Sequence, residues 1–276
     1  MQPSESGMTH EVALRRYSDR EIAEVTDEVA TEEPLEIRVE GHSVAVVMRT
    51  PGHDRELAAG FLMTEGIIKS ARDVFDITTC VPSGAAGKGN VVDVALARPE
   101  SFDFANLTRH VFTSSSCGIC SKASIDLVLK QRERLVDDLR VSAEVILSLP
   151  DRLAQQQETF KRTGGLHACA LFNAEGDLLE TREDVGRHNA LDKLAGWALL
   201  AKRTPLHAHL VLLSGRASFE MMQKSHAAGI PVVASISAPS SLAVQFAQES
   251  GQTLVGFLRG RTMNVYAGGE RLRESV

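Results

Sequence analysis

The second half of this 276-residue chain alternates short apolar segments with segments of helical character, and this alternation constrains the fold more than any other feature. Strands are predicted over 168–172, 178–181, 209–213, 231–235 and 253–258, and helices over 188–202, 217–228 and 240–248. Strands that alternate with helices of about 10–13 residues indicate βαβ units with parallel strands. In such a sheet, ligands bind at the carboxyl ends of the strands.

The first half of the chain predicts a smaller unit with the order β-β-α-β-β. Strands are predicted over 34–39, 44–48, 74–78 and 91–97, and one helix separates the second strand from the third. That helix begins near Asp54 and ends at Gly66. Its apolar stripe, which predicts a buried face, consists of Leu57, Phe61 and Leu62.

The two units are joined by a segment of different character. Residues 113–150 combine a cysteine-containing loop with a charged amphipathic stretch that predicts a linker helix, and Pro150 is expected to mark a break. Residues 1–20 are polar and are expected to form a flexible tail. The chain is therefore expected to have an α/β (α+β) fold with an N-terminal α/β domain over 21–112 and a C-terminal domain over 151–276.

Composition excludes some classes of function. The net charge of −6 argues against general nucleic-acid binding, and the 43% hydrophobic and 24% charged residues are ordinary for a globular protein. The acidic N-terminus lacks the apolar core of a signal peptide, and no apolar run approaches the ~18 residues of a membrane span. We expect a cytoplasmic protein with reduced thiols and no membrane partner.

Two of the four cysteines, Cys117 and Cys120, form a C-x-x-C pair in a loop rich in serine and glycine. Lys122 and the amides of a helix predicted to begin just after the pair favour the thiolate, which is the reactive form. Three interpretations stay open, namely a dithiol redox site, half of a zinc site and a sulfur relay. Structural zinc needs four ligands, and neither Cys80 nor Cys169 belongs to a second pair, so no structural metal is expected.

Three predicted strands of the second half end in small, polar or cationic residues, and two of these ends lead into helix starts that suit anions. The three ends are 214–218, 237–241 and 259–262. The first end predicts a phosphate or nucleotide cradle, with a tight βα turn as the alternative. The candidate ligands in this cradle are Ser214, Gly215, Arg216 and Ser218.

A further polar group stands between a predicted strand and a predicted helix. Arg187 can bind a phosphate through two N–H groups. His188 and Asn189 lie at the helix start, where side chains either cap the helix or contact a ligand. The alternative is ordinary capping in which Asp184 neutralises Arg187. His167, which follows a Gly-Gly pair, is interpreted as structural.

Several motifs in a fixed order resemble the FdhD family. They are TPGHDRELAAGFLMTEGII, SSSCGICSKAS, TGGLHA, EDVGRHNALDKL, LLSGRASFEMMQK, AGIPVVASISAPSSLA and LVGFLRG, and they span most of the chain. The resemblance implies a cytosolic sulfur carrier protein, or accessory sulfurtransferase, that is required for active formate dehydrogenase. Such a protein accepts sulfane sulfur from a cysteine desulfurase. It passes the sulfur to the molybdenum bis(molybdopterin guanine dinucleotide) cofactor before the cofactor enters the dehydrogenase.

The resemblance also implies roles for particular residues. Cys117 would carry a persulfide, and Cys120 would assist it or accept the sulfur in turn. The family's cofactor-contacting stretch falls on Phe257, Leu258, Arg259, Gly260, Arg261 and Thr262. The resemblance further implies a homodimer and a C-terminal domain with a three-layer, cytidine deaminase-like α/β fold. That domain would lack the deaminase zinc site, since Cys169 stands where the deaminase signature has a glutamate.

Two other functions compete with sulfur transfer. A C-x-x-C pair before a helix is also typical of thioredoxin-type thiol-disulfide oxidoreductases. A third possibility is a non-catalytic, cofactor-binding chaperone for the dehydrogenase that uses only the C-terminal strand ends. A relay needs Cys117 above all, a redox dithiol needs both Cys117 and Cys120, and a chaperone needs neither.

Overall fold

The computed structural model describes residues 7–19, 21–80, 89–101 and 133–273, which form a mixed α/β fold. The strands in chain order are β1 (Thr9–Tyr17), β2 (Ile22–Ala30), β3 (Glu33–Val39), β4 (His42–Arg49), β5 (Val74–Cys80), β6 (Val91–Leu96), β7 (Val141–Ser142), β8 (His167–Phe172), β9 (Leu178–Asp184), β10 (Leu210–Leu213), β11 (Val232–Ser235), β12 (Thr253–Arg259), β13 (Thr262–Ala267) and β14 (Leu272–Arg273). The α-helices are α1 (Asp54–Thr64), α2 (Ala143–Gln156), α3 (Glu158–Thr163), α4 (Arg187–Leu200), α5 (Phe219–Ala227) and α6 (Ser241–Ser250). Within these ranges, no helix has the length and apolar character that crossing a membrane requires.

The N-terminal sheet has the strand order β4-β3-β6-β5, and α1 connects β4 to β5 in the chain. Its strand β3 is antiparallel to β4 and parallel to β6. Leu35, Ile37 and Val39 alternate along β3 and are fully buried, whereas Glu36 and Arg38 between them are half-buried. This period of two is the pattern that predicts a strand with one face in a core, and the β-β-α-β-β order is confirmed.

The C-terminal sheet has six strands in the order β13-β12-β11-β10-β8-β9. Strands β10, β11 and β12 are parallel, as the alternation of strands and helices predicts. Strand β8 is antiparallel to β10 and to β9, so β9 runs in the same direction as β10. The carboxyl ends of β9, β10, β11 and β12 therefore lie at one edge of the sheet, which we call the carboxyl edge.

The C-terminal sheet lies between two layers of helices, because both of its faces are apolar. Cys169 and Leu171 of β8 belong to the core that contains α4, α5 and α6, and the buried residues of β3 and β6 join the same core. Ala168, Ala170 and Phe172 of β8 belong to the second core, against which α2 packs. Strands buried on both faces in this way are typical of α/β proteins, and the expected fold class is confirmed.

The first twenty residues are not simply a polar tail. Thr9–Tyr17 forms β1 and pairs antiparallel with β2, from Thr9 opposite Ala30 to Tyr17 opposite Ile22. The tail prediction is wrong for these residues, because the apolar positions of β1 are interrupted by charged ones and only pairing with β2 makes the strand evident.

The cysteine loop and linker helix are predicted over 113–150, of which 113–132 lie outside the described ranges. Residues 133–140 are described and are not helical, so the helix prediction is wrong for them. Leu135 N donates to Ser250 O at 2.8 Å, and Leu139 N donates to its neighbour Asp137 Oδ1 at 2.7 Å. These backbone groups bind partners that a helix would not provide, and the bond to Ser250 holds the segment against the C-terminal half.

Pro150 does not end a segment but lies inside α2, so the break expected there is wrong. A proline inside a helix costs about 3 kcal/mol because it removes a backbone donor and crowds the preceding turn. Ile146, Leu149 and Leu153 of α2 are fully buried in the second core. Burying side chains of this size contributes about 1.5–3 kcal/mol each, which outweighs the cost of the proline.

Helices α1 and α4 touch backbone to backbone, because glycines lie at the point where they cross. A Cβ on Gly60 would lie 1.8 Å from Asp192 O, and a Cβ on Gly196 would lie 1.8 Å from Glu56 O. Both distances are far below a van der Waals contact, so a methyl group at either position would force the helices apart. The crossing joins the N-terminal unit directly to α4, which is the longest of the helices α4, α5 and α6 that pack in the same core as the C-terminal sheet.

Gly196→Ala is expected to lower the free energy of unfolding by about 2 kcal/mol or more, because the new methyl would overlap the Glu56 carbonyl. This cost exceeds the gain of about 1 kcal/mol in helix propensity. Urea unfolding followed by circular dichroism measures the difference. Gly269→Ala is the matched control, since its Cβ would lie 3.7 Å from Val265 Cγ1 and should change stability by less than about 0.5 kcal/mol. Equal stabilities of the two variants would contradict the close crossing.

Candidate functional site

The carboxyl edge brings together side chains from four separate parts of the C-terminal half. Asp184 ends β9 and is paired with His167, which begins β8. Because β8 is antiparallel to β10, His167 lies beside the turn that follows Leu213. The predicted segments 187–189 and 214–218 therefore meet at this edge, with His167 between them.

The turn after β10 is held tightly against β8. Ser214 N donates to Ala168 O at 3.0 Å, and Ala168 N donates to Ser214 Oγ at 2.8 Å. A Cβ on Gly215 would lie 3.1 Å from His167 Nδ1 and 3.9 Å from Arg187 Cδ. Glycine thus brings the backbone close to both side chains, and Arg216 next to it is exposed at the edge.

Hydrogen bonds connect the turns that follow the three parallel strands. Ser235 Oγ donates to Gly215 O at 2.7 Å and lies 3.1 Å from Ser237 O. Phe257 N donates to Ser237 O at 3.0 Å. Ala217 also forms a parallel bridge with Pro239. The candidate segments 214–218 and 257–262 are therefore linked through the β11 turn.

The stretch from Phe257 to Thr262 forms the end of β12 and the turn into β13. The Arg259 guanidinium carbon lies 5.5 Å from the centre of the Phe257 ring, within the range of a cation–π contact. Leu258 is fully buried in the second core, so only its backbone reaches the edge. Gly260 has a φ of 58°, in the left-handed region that glycine favours, and Arg259, Gly260, Arg261 and Thr262 are all exposed.

The start of α4 is fixed by a buried polar network. Lys193 Nζ lies 2.7 Å from Asp184 Oδ2, and both side chains are fully buried. Asp184 also accepts from Asn189 Nδ2 at 3.0 Å and from Thr50 N at 3.2 Å. The Asp184 carboxylate is therefore paired with Lys193. This differs from the capping alternative, in which Asp184 neutralises Arg187. Asn189 donates a second bond to Met48 O at 2.7 Å, which fixes its amide between the two halves of the chain.

Three buried polar atoms of the candidate residues have no hydrogen-bond partner in the described part of the chain. They are Arg187 Nε, His188 Nε2 and Ser218 Oγ. His188 is only 3% exposed. A buried polar atom without a partner costs about 1–3 kcal/mol, so a water molecule or a ligand that bonded these atoms would stabilise this region.

The two histidines at the edge are uncharged at neutral pH. Burial, followed by the positive charge of Arg187, lowers the pKa of His167, and Arg216 acts in the same direction. Burial, followed by the charges of Arg187 and Lys224, lowers the pKa of His188 to about 4. Each imidazole therefore has one ring N–H to donate and one ring nitrogen that accepts.

The cysteines divide into two groups. Cys117 and Cys120 lie outside the described residues. Cys169 is buried in β8, and burial, followed by the charges of Asp192 and Asp184, raises the pKa of its thiol. Cys80 ends β5 and is half-buried.

Some residues of this edge were not identified from the sequence. His167, interpreted as structural, lies so close to the Gly215 turn that a Cβ on Gly215 would be 3.1 Å from its Nδ1, and burial, followed by Arg187 and Arg216, lowers its pKa. Thr50 belongs to the N-terminal half, but Lys193 Nζ donates to its carbonyl at 2.8 Å. The antiparallel pairing of β8 with β10 would identify His167, whereas nothing in the sequence places Thr50 here.

Stability is expected to fall in acid partly because of His188. Its pKa of about 4 in the folded chain lies below its ordinary value of 6.5, so the unfolded chain binds a proton that the folded chain resists. This contribution is fully present above about pH 6.5 and is lost as the pH falls toward 4, by up to about 3 kcal/mol. Urea unfolding between pH 7.5 and 4.5 should show a shallower pH dependence in His188→Gln than in the wild type. Identical dependences would contradict a buried neutral His188.

Comparison with known proteins agrees with the motifs. The chain matches the FdhD/NarQ family over residues 30–273. The sulfur carrier protein FdhD of Streptomyces avermitilis is 52% identical over 262 residues, which cover 93% of each chain. The sulfur carrier protein FdhD of Mycobacterium tuberculosis is 49% identical over 267 residues, which cover 94% of this chain and 96% of the relative.

The fold has a solved counterpart. A crystal structure assigned to a formate dehydrogenase accessory protein from Desulfotalea psychrophila superposes with a TM-score of 0.76 at 26% identity, covering 96% of this chain and 100% of that one. The family match spans nearly all the described residues, and the resemblance inferred from the ordered motifs is confirmed. The chain belongs to the FdhD/NarQ family.

Proposed function

We propose that this protein is a sulfur carrier that serves formate dehydrogenase, with Cys117 as the residue that carries the sulfur. The observation that supports this most directly is the C-x-x-C pair in a chain about half identical to relatives named sulfur carrier protein FdhD. The protein would accept sulfane sulfur from a cysteine desulfurase and deliver it to the molybdenum bis(molybdopterin guanine dinucleotide) cofactor. The cofactor is the cargo of this reaction and would enter the formate dehydrogenase catalytic subunit afterwards.

The loading step is a transfer between two thiols. The Cys117 thiolate attacks the terminal sulfur of a persulfide on the desulfurase, so a new S–S bond forms on Cys117. The old S–S bond breaks, and the desulfurase cysteine leaves as a thiolate. No external oxidant or reductant is needed, because one persulfide replaces another. Cys120 would then assist the persulfide or accept its sulfur.

The other cysteines are poorly suited to this step. Cys169 lies in the sheet between two cores, and the raised pKa of its thiol keeps it protonated. A protonated, inaccessible thiol cannot attack a persulfide on another protein. Cys80 has no second cysteine within three residues of it in the sequence. These properties favour the C-x-x-C pair as the sulfur-carrying site.

The carboxyl edge suits the nucleotide part of the cofactor. Its diphosphates require donors, and the edge offers the Arg187 and Arg216 guanidiniums, the Gly215 turn and the Ser218 hydroxyl. Arg259, stacked over Phe257, adds a cation at the end of β12. The unpartnered buried atoms are the kind of feature that a bound ligand would satisfy. We also propose that the protein acts in the cytoplasm as a homodimer, as in the resembling family.

Cys117→Ala is expected to abolish sulfur loading, because Cys117 is the proposed first acceptor and the thiol of Cys169 is buried and protonated. Incubation with a cysteine desulfurase and cysteine, followed by mass spectrometry of the peptide that contains residue 117, should show an added sulfur in the wild type and none in Cys117→Ala. Cys120→Ala should load sulfur as well as the wild type or less well. Its loss of loading should not exceed that of Cys117→Ala.

Cys80→Ala is the matched control for that experiment and should load like the wild type. Formate dehydrogenase activity in a strain that carries only each variant gives a second measurement. Full activity with Cys117→Ala would overturn the proposed role of Cys117, and activity with both cysteines of the pair replaced would favour a chaperone.

Guanosine diphosphate is expected to bind at the carboxyl edge with help from the arginines. Arg216→Ala or Arg259→Ala should weaken binding by about ten- to a hundred-fold, since a hydrogen bond to a charged group contributes about 1.5–3 kcal/mol. Isothermal titration calorimetry measures this affinity. Arg203→Ala is the control, because Arg203 lies just beyond the opposite end of α4, over Trp197. Unchanged affinity in both edge variants would place the nucleotide elsewhere.

A further inference from the structure

The hairpin of β1 and β2 is a two-stranded sheet that joins neither of the two larger sheets. At its base, Arg162 of α3 lies 2.8 Å from Glu28 Oε2 and donates to Thr9 Oγ1 at 3.3 Å. One face of the hairpin carries apolar residues that, in the described part of the chain, belong to neither core, namely Val12, Leu14, Ala23, Val25 and Val29. A two-stranded hairpin alone is marginally stable in water, so this face needs further strands to cover it.

The outer edge of β1 presents backbone groups that β2 does not use. Thr31 N donates to Met8 O at 2.9 Å, and Ser18 N donates to Glu21 O at 2.9 Å. Because hydrogen-bonded pairs alternate along an antiparallel ladder, the even-numbered residues of β1 bond to β2. The odd-numbered residues direct their N–H and C=O groups away from β2, and they are Thr9, Glu11, Ala13, Arg15 and Tyr17. Such an open edge is a template for another strand.

The outward residues of β1 are complementary to themselves. In an antiparallel pairing with β1 of a second copy, centred on Ala13, each outward residue lies opposite another outward residue. Glu11 then faces Arg15 of the second copy, and two-fold symmetry repeats this pair of opposite charges. Within its own hairpin, Glu11 lies opposite Glu28, a like charge. Opposite charges across a ladder stabilise the pairing and like charges destabilise it, so Glu11 gains from the second copy.

The outer edge of β2 does not have this property. Its outward residues are the even-numbered ones, and Thr26 is at the centre of the strand. A self-pairing centred on Thr26 would place Glu24 opposite Glu28 of the second copy, which are like charges. Glu28 is already bound by Arg162 of α3. The charges therefore favour association through β1 and oppose association through β2.

The same register extends the apolar face of the hairpin. Val12 lies opposite Leu14 of the second copy, in a pair without hydrogen bonds, where side chains approach most closely. Leu14 is also opposite Val25 within its own hairpin. The apolar residues of the two copies thus form one strip across four strands. On this face His10 lies opposite Arg16 of the second copy, and Asp27, 3.6 Å from the Arg16 guanidinium of its own copy, offsets that charge.

We propose that two copies of this chain associate through β1, which forms a four-stranded antiparallel sheet with a two-fold axis at Ala13. The assignment rests on the homodimer of the proposed function and specifies the surface that forms it. The interface is isologous, because the same strand contributes from each copy. Strand β1 has nine residues, fewer than the roughly 20–30 residues a side of a standard interface. We therefore expect a dimer whose Kd lies in the micromolar range.

Sedimentation velocity of the full chain over micromolar concentrations measures this Kd. Ala13→Pro should raise it by about ten-fold or more, because proline removes the N–H at the centre of the pairing. Proline is tolerated at this edge, since the N–H of Ala13 does not bond to β2. Thr26→Pro is the matched control, because Thr26 lies opposite Ala13 in the same hairpin and its N–H points to the other edge. It should leave Kd unchanged.

Charge variants test the register. Glu11→Arg and Arg15→Glu each place like charges at both symmetric pairs, so each variant alone should have a Kd raised by about ten-fold or more. In a mixture, a chain with Glu11→Arg and a chain with Arg15→Glu restore opposite charges at both pairs. Native mass spectrometry of the mixture should therefore show more heterodimer than either homodimer.

The failure of this surface can be distinguished from the failure of the proposed function. If all the variants dimerise like the wild type, the β1 surface is wrong and the homodimer stands. If the wild type sediments as a monomer throughout, both the surface and the homodimer are wrong, whereas sulfur loading on Cys117 is measured separately. Equal dissociation of Ala13→Pro and Thr26→Pro, or a mixture of the charge variants without excess heterodimer, overturns the pairing through β1.

Discussion

The contact between Gly60 and Gly196 determines how the two halves of this protein meet. Because each glycine leaves room for a carbonyl of the other helix, α1 and α4 approach more closely than helices with side chains at the crossing can. One core then runs from the N-terminal sheet through α1 and α4 to the C-terminal sheet. The N-terminal unit is thereby a direct support for α4, and α4 begins at the carboxyl edge. A displacement of α1 would move the residues proposed to bind the cofactor.

A second interaction fixes the other end of this arrangement. The buried pair of Asp184 and Lys193 joins the end of β9 to α4, and Lys193 Nζ also donates to Thr50 O, before α1. Removing one partner of such a pair would leave a buried charge, which is far more costly than keeping both. The pair therefore specifies one position for the turn from Asp184 to Arg187 relative to the N-terminal half. Because this turn is held in place, the start of α4 does not shift to give its buried polar atoms hydrogen-bond partners.

The sequence predicted the parts of the fold whose patterns are local. Alternation along β3 and the strand–helix alternation of the C-terminal half are periodic signals that reflect burial, and both sheets follow from them. Strand β1 was missed because its identity depends on pairing with β2, and α2 continues through Pro150 because a buried stripe outweighs a local signal. In the site, the segments 187–189 and 214–218 were identified from their residue types. The position of His167 and the pairing of Asp184 with Lys193 depend on strand order and on contacts between distant segments, which no local pattern contains.

The two proposed activities make opposite physical demands, and the chain separates them accordingly. A sulfur-carrying thiol must meet a desulfurase and then the cofactor, which requires a thiolate that partners can reach. The cofactor's diphosphate requires donors that are already oriented, because donors fixed before binding lose little entropy when the ligand arrives. Of the residues proposed to bind the cofactor, Arg187 and Ser218 would meet the second demand, since α4 and α5 hold them and their unsatisfied state is a cost borne before binding. Cys169, although it lies close beneath this edge, cannot meet the first demand, because the burial that orders the edge also keeps its thiol protonated. The packing that orders this edge thus makes Cys169 unsuitable as the proposed sulfur carrier, which favours another cysteine for that role.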